Sequence, residues 1–264
     1  MKVVQFAEYG GPDVLEVTDQ PAPEPGDGDV VIEVKAIGVN YADTARREGK
    51  YVLPTELPFI PGTEVAGVVA ETGPNVKGVK KGVRVAALTG SGGYAEYVKT
   101  KADTLIPVPN GVSFEKAVAL PLQGLSAYHI LKTMGRLGEG ETVLVHAASG
   151  GVGSLAVQLA KKFGAGKVIA TASTPEKLQL ADNMGADHLV NYSEDAWEEK
   201  VRALTGGKGV DVALEMVGGS IFHKTLKCLA PFGRLVIYGV ASGEQAKFYP
   251  SSLMLLSQVL GSYL

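Results

Sequence analysis

Val143-Leu144-Val145-His146-Ala147-Ala148-Ser149-Gly150-Gly151-Val152-Gly153 decides how the rest of this chain is read. The apolar run over residues 142–147 predicts a strand. Residues 152–163 have helical periodicity, with Leu155, Ala156, Leu159 and Ala160 on one face. Strand, glycine-rich turn and helix in that order are the setting of a dinucleotide-binding fingerprint. The spacing Ala147-x-x-Gly150-x-x-Gly153 is a variant of the usual three-glycine form. Gly150 and Gly151 would leave the backbone bare toward a diphosphate, and Gly153 would let the helix pack closely on the strand. The free N–H groups where the Val152 helix starts would bind that anion. The same residues also read as a tight strand-to-helix turn with no ligand.

Outward toward the C-terminus, strand and helix patterns alternate. Strands are expected at 168–171, 188–191, 210–216 and 235–238, and helices at 175–184, 197–204 and 221–229. The strands are continuous apolar runs, as in a parallel sheet buried on both faces. Units of this spacing imply an α/β, doubly wound parallel sheet. The end of the second strand bears on which dinucleotide would bind, because an acid there accepts from the adenosine ribose of NAD. The stretch Val168-Ile169-Ala170-Thr171-Ala172-Ser173-Thr174 has none, and Glu176 comes only in the first turn of the next helix. Ser173 can donate to a phosphate and Lys177 brings a mobile positive charge, which favours NADPH. Lys177 also reads as an ordinary solvated helix lysine. Tyr192 either closes that side of a pocket or packs on the sheet as a loop aromatic.

Toward the N-terminus the pattern differs. Short strands are expected at the N-terminus and at 30–34, 65–71, 83–88 and 93–98, separated by Gly/Pro turns, which suggests a small barrel or curled sheet. A helix over 41–48 would end at Gly49. Pro107, Pro109 and Pro121 punctuate the approach to residue 125, with a helix over 114–120 capped by Ser113 and another over 126–134 ended by Gly135. Two domains, 1–124 and 125–264, are expected.

The chain has 264 residues, with 25 Lys plus Arg against 28 Asp plus Glu and a formal net charge of −3. That balance argues against a nucleic-acid partner. With 45 % hydrophobic residues, a sizeable core is expected. The single cysteine, Cys228, excludes an intramolecular disulfide and any zinc site needing two thiolates. The four histidines, His129, His146, His188 and His223, form no close pair, so no metal is expected. His146, within the glycine-rich region, either packs or donates near a cofactor. Glu64, entering an apolar strand, is either a buried carboxylate held by backbone donors or a partly exposed strand-start acid. No apolar run reaches the roughly 18 residues of a membrane span. The start Met1-Lys2-Val3-Val4 resembles a strand more than a signal peptide, so a soluble cytoplasmic protein is expected. No nucleophile-and-base motif stands out. Hydride transfer needs none of high potency, because the cofactor carries that chemistry.

Several motifs in order give the chain a family resemblance. They are Gly38-Val39-Asn40-Tyr41-Ala42-Asp43, Arg47-x-Gly49-x-Tyr51, Pro58-x-x-Pro61-Gly62-x-Glu64-x-Ala66-Gly67 and Gly92-Gly93-Tyr94-Ala95-Glu96-Tyr97. The glycine-rich turn, Thr171-Ala172-Ser173-x-x-Glu176-Lys177 and Gly185-Ala186-Asp187 with Asn191-Tyr192 complete them. Together they resemble the zinc-free quinone oxidoreductases, zeta-crystallin type, of the medium-chain dehydrogenase/reductase superfamily. Zinc-dependent relatives have Cys where Asn40 stands and His where Thr63 stands.

The resemblance implies a GroES-like β-barrel catalytic domain and a Rossmann NADPH-binding domain. It implies NADPH-dependent reduction of a quinone, or another small electrophile, by hydride or stepwise electron transfer without metal. An enone or alkene reductase, or a non-catalytic NADPH-binding structural or regulatory protein, are its alternatives. Asn40, Tyr51 and Ser126 would be the catalytic-site residues. Asn40, Ser126, Ala148, Gly150, Gly151, Val152, Ser173, Lys177, Tyr192 and Gly239 would contact the cofactor. The resemblance also implies a homodimer through an edge strand near 258–264. Family members commonly run further, so the first domain is expected to lack its C-terminal return segment and the 264-residue form to fall short as a catalyst.

Overall fold

The computed structural model describes residues 1–247, 249, 251 and 258–261, in two compact units, Met1–Leu122 and Gln123–Leu264. In the first unit, β1 (Lys2–Gln5) pairs antiparallel with β2 (Glu16–Asp19), a short strand the sequence patterns did not indicate. β3 (Asp29–Ile37) leads through α1 (Tyr41–Arg47) to β4 (Glu64–Thr72), β5 (Arg84–Leu88), β6 (Tyr97–Lys101) and β7 (Ile106–Pro107). These five strands form an antiparallel sheet in the order β6-β3-β4-β5-β7. Val30, Ile32, Val65, Val69, Val85 and Val98 fill its core. The other face is covered as well in the middle of the sheet, where Ala66 and Ala86 pack with Val108, Ala117 and Val118.

Two expectations for this stretch need correction. The strand expected at 93–98 begins only at Tyr97, because Gly92, Gly93 and Tyr94 donate their amides to Ile60, Gly62 and Pro61. That backbone is committed to a neighbouring loop before the ladder starts. Pro121 does not separate two helices. After α2 (Phe114–Val118), capped by Ser113 accepting from the Lys116 amide, the chain stays helical through a π stretch Leu120–Gly124, α3 (Leu125–Tyr128) and a second π stretch His129–Met134. The wider turn accommodates a proline that has no N–H to give.

The second unit is a six-stranded parallel sheet. β8 (Thr142–Val145), α4 (Gly151–Lys162), β9 (Lys167–Ala172), α5 (Pro175–Asn183), β10 (His188–Asn191), α6 (Trp197–Leu204), β11 (Val210–Glu215), α7 (Gly219–Cys228) and β12 (Leu229–Ile237) follow one another, and β13 (Gln258–Gly261) lies at the edge. The order is β10-β9-β8-β11-β12-β13. Successive strand residues point to opposite faces. Val143, Val145, Val168, Ala170, Val212 and Leu214 pack with α4, while Leu144, Ile169, Val190, Ala213 and Leu235 pack with Trp197, Val201 and Phe222. Burial on both faces explains why these strands read as unbroken apolar runs. β12 starts six residues before the expected 235, at Leu229. Of the edge strand expected near 258–264, Gln258–Gly261 forms β13, and residues 262–264 lie outside the described residues.

The strand order makes β8 the switch point. The chain runs from β8 to β9 and β10 on one side and returns to β11 and β12 on the other. Ligands of such sheets bind beyond the carboxyl ends of the strands at this point.

Candidate functional site

The glycine-rich turn leaves β8 at the switch point. Ala147 takes a φ of 46° and its carbonyl accepts the Gly150 amide at 2.8 Å, reversing the chain into the twelve-residue helix α4. The Ala148 amide donates to Thr171 in β9 at 3.0 Å, which ties the turn to the neighbouring strand. Gly153 faces that turn so closely that a Cβ there would stand 2.3 Å from the Ala147 oxygen and 2.8 Å from Ala148 Cα. At Gly151 a Cβ would strike the Gln123 side chain at 1.9 Å, so Gln123 lies against the turn, a placement no local pattern indicated. A Cβ at Gly150 would meet only the Ala147 oxygen, at 3.2 Å. The result is a cradle, uncovered at Gly150 and walled by the Gln123 side chain at Gly151, above the first-turn amides of α4, where a helix N-terminus favours an anion.

The next two strand ends flank this cradle. Ser173 and Lys177 follow β9, with Lys177 Nζ 3.4 Å from Ser173 Oγ, and Thr174 caps α5 by accepting the Lys177 amide. Glu176 is turned to its own helix start, where backbone N–H and the Thr174 side chain hold its carboxyl below the usual range. Tyr192 follows β10, its amide donating to Ala172 at 3.1 Å. Gly239 follows β12, where a Cβ would lie 3.3 Å from Met216 Cβ. The predicted residues Ala148, Gly150, Gly151, Val152, Ser173, Lys177, Tyr192 and Gly239 thus gather at the carboxyl ends of the sheet. Ser126 lies half-buried in α3 of the same unit.

His146 packs below the turn. Its ring is wholly buried, with Nδ1 2.7 Å from Thr171 Oγ1 and Nε2 2.8 Å from Thr225 Oγ1. Thr225 donates its own proton to the Ile221 carbonyl at 2.7 Å. It therefore accepts from His146, so Nε2 carries the hydrogen and Nδ1 accepts from Thr171. Burial pushes the imidazole down to about 3. Trp197 meets the ring edge-on at 5.3 Å. His146 fastens β8 to β9 and α7. Cys228 is also buried, its thiol pushed up to about 12 chiefly by desolvation, which makes it a poor nucleophile.

Asn40 and Tyr51 stand in the first unit. Asn40 caps α1 and is 7 % exposed, and its Nδ2 donates to Glu64 Oε1 at 2.9 Å and to Thr63 Oγ1 at 3.4 Å. Both amide hydrogens are engaged in holding the fold. Glu64 is fully buried, and its other oxygen accepts the Leu122 amide at 2.8 Å. This decides between the two sequence readings of that acid. Desolvation pushes its carboxyl up against these donors. Asp43, also buried, accepts from the Asn40 and Gly62 amides and from the Tyr94 hydroxyl. Tyr51 lies under the Arg46 guanidinium, 4.0 Å from its ring centroid, in a recess of about 270 Å³ with Tyr9, Val52 and Leu53. A larger, shallow recess of about 410 Å³, lined by Val3, Val17, Val34, Ala36 and Ile37, includes no predicted site residue. Among the described residues, no group of three or more His, Cys, Asp or Glu is placed to hold a metal ion, and no helix is long and apolar enough to cross a membrane.

The model of the alcohol dehydrogenase GroES-like domain matches residues 26–110, and that of the zinc-binding dehydrogenases matches residues 151–264. The quinone oxidoreductase of Pseudomonas aeruginosa is 41 % identical over 269 residues, a match spanning 99 % of this chain and 82 % of that protein. The crystal structure of Escherichia coli quinone oxidoreductase complexed with NADPH has a TM-score of 0.92 at 36 % identity, covering 99 % of this chain and 80 % of that one. A solved NAD-dependent alcohol dehydrogenase has a TM-score of 0.93 at 36 % identity, covering 99 % and 84 %.

Proposed function

As a member of the quinone oxidoreductase family of zinc-free medium-chain dehydrogenases/reductases, this chain is, we propose, an NADPH-dependent quinone reductase. Solved neighbours with the same fold differ in the nicotinamide cofactor they are named for, so the fold does not set that preference. The observation that carries the reading is the glycine cradle at the switch point, open at Gly150, followed by an acid-free strand end with Ser173 and Lys177 3.4 Å apart.

The amides of Gly151 and Val152 hold the diphosphate, Gly150, whose own amide is bonded to Ala147, leaves room for it, and Ala148 fixes the turn beneath them. Ser173 and Lys177 take the 2′-phosphate as donor and countercharge, and Tyr192 closes that side. Gly239 and Ser126 line the nicotinamide end. Asn40 and Tyr51 serve the substrate side, Asn40 by holding its loop to Glu64. When bound, NADPH supplies a hydride to the quinone, and solvent supplies the proton that completes the hydroquinone. No side chain is required to donate strongly, which agrees with a site whose histidine is buried and neutral. A second copy of the chain pairs along the edge strand β13.

The test is oxidation of NADPH and of NADH with 1,2-naphthoquinone, and with crotonaldehyde to probe the enone alternative. NADPH with the quinone is the expected pair. Faster turnover with the aldehyde would favour the enone reductase, and tighter binding of NADH would overturn the roles of Ser173 and Lys177. Lys177→Ala is expected to raise the KM for NADPH by about ten-fold, the scale of one charge-assisted hydrogen bond, and to leave that for NADH unchanged.

A further inference from the structure

Glu215 is the last residue of β11, the strand beside β8 across the switch point, and its side chain is 1 % exposed. A buried carboxylate with no cation beside it costs stability unless donors satisfy it. Two backbone donors do so here. Oε1 accepts the Val217 amide at 2.7 Å and the Gly218 amide at 2.9 Å. The carboxylate thereby folds the chain back on itself directly after the strand. Gly218 sits at a φ of +83°, and a Cβ there would stand 2.8 Å from the Glu244 carbonyl oxygen.

This turn is laced to the segment that follows β12. Tyr238 donates its amide to Glu215 at 3.0 Å, Ala241 to Met216 at 2.8 Å and Ser242 to Val217 at 2.9 Å, while Gly219 donates to Glu244 at 3.0 Å. The backbone of 238–244 is therefore shaped on a template that the Glu215 side chain holds. Both segments lie at the carboxyl ends of β11 and β12. A dinucleotide with its diphosphate on α4 and its adenosine over β9 would extend its nicotinamide end across this side of the sheet.

We propose that Glu215 is a positioning residue for the nicotinamide end of the cofactor, acting through the 216–219 turn on the backbone around Gly239. The proposal rests on the functional reading above. It separates the two halves of the ligand, since Ser173, Lys177 and Tyr192 hang on β9 and β10, away from this lacework.

The experiment uses the 264-residue protein and the Glu215→Ala, Glu215→Gln and Gly218→Ala variants. Amide hydrogen exchange of the ligand-free proteins is the first readout. Glu215→Ala is expected to speed exchange at 216–219 and 238–242 by about ten-fold or more while the rest of the sheet keeps its protection. Binding of 2′,5′-ADP, which carries only the adenosine half, should change by less than about two-fold, whereas kcat with NADPH and 1,2-naphthoquinone should fall about thirty-fold from misplacement of the reacting ring. Glu215→Gln keeps an oxygen for both amides and should remain within about three-fold of the parent. Gly218→Ala pushes the same turn against Glu244 with the carboxylate intact and should repeat the split if Glu215→Ala fails to fold. Unchanged exchange at 216–219 and 238–242, or equal losses for 2′,5′-ADP and NADPH, would overturn the proposal. A parent protein that binds neither ligand would refute the functional reading and the proposal with it, an outcome distinct from either variant result.

Discussion

Gly153→Val is expected to abolish measurable NADPH binding, a loss of about one hundred-fold or more, and to destabilise the fold by about 3 kcal/mol, the upper part of the range for overpacking. The added Cβ alone would lie 2.3 Å from the Ala147 oxygen and 2.8 Å from Ala148 Cα. Both are backbone atoms of the turn, so neither can rotate away. Either α4 retreats from the sheet or the turn opens, and in both cases the first-turn amides leave the cradle. Gly150→Ala is the informative partner. Gly150 has an ordinary φ of −76°, and its Cβ would meet only the Ala147 oxygen, at 3.2 Å. That variant should unfold at nearly the same urea concentration as the parent, yet bind NADPH about ten-fold more weakly, because its methyl occupies space meant for the diphosphate. Urea unfolding and fluorescence titration with NADPH measure the two effects separately. Parental NADPH affinity in Gly150→Ala would refute the cradle as the diphosphate site.

Acid should destabilise the protein through His146, and the sign follows from which state takes up the proton. The folded imidazole is pushed down to about 3 by burial, from an ordinary value of 6.5. Between those values the unfolded chain binds a proton that the folded chain refuses, so stability rises with pH across this window. The contribution is fully present above 6.5 and is lost as the pH falls toward about 3. From pH 6 to pH 4 the expected loss is roughly 2 kcal/mol, near the limit of about 1.4 kcal/mol per pH unit for one proton. His146→Gln cannot titrate and should lack this component while keeping polar atoms for Thr171 and Thr225. The burial-raised carboxyls of Glu64 and Glu215 act in the opposite direction and are common to both proteins, so they drop out of the difference. Urea unfolding of parent and variant at the two pH values gives the comparison directly. Parallel pH profiles would show that His146 is protonated in the fold or already neutral in the unfolded chain.

The second unit was more legible in the sequence than the first. Its strands are covered on both faces, and Thr142–Val145 or Val210–Glu215 therefore reads as a compact apolar run with sharp ends. Strands of the first unit also bury successive residues, Val65 with Ala66 and Val85 with Ala86, but their ends depend on partners far along the chain. Tyr97–Lys101 starts late because Gly93 and Tyr94 pair with residues 61–62, and nothing local to residue 93 states that. Pro121 punctuates the sequence, yet a π turn carries the helix past it. β2, with the sequence Glu16-Val17-Thr18-Asp19, is mostly exposed and has no apolar pattern to find.

The candidate site divides along the same line. The cradle was readable from the chain because its demands are local: a strand, small residues that leave the backbone uncovered, and a helix whose first amides have no partners of their own. The missing acid after β9 was readable for the same reason. The roles of Glu215, Gln123, Asp43 and His146 were not. An acid at the end of an apolar strand, followed by two glycines, hints at a buried carboxylate, but its donors are the amides of Val217 and Gly218, which face it only once the turn has formed. Asn40 looked like a group offered to a ligand, and folding commits its amide hydrogens to Glu64 and Thr63, more than twenty residues away. Hydrophobic period and turn chemistry depend on neighbours a few residues apart and survive in a linear string. Burial, the partner of each polar atom and the protonation state that follows depend on packing between distant segments, and they exist only in the folded chain.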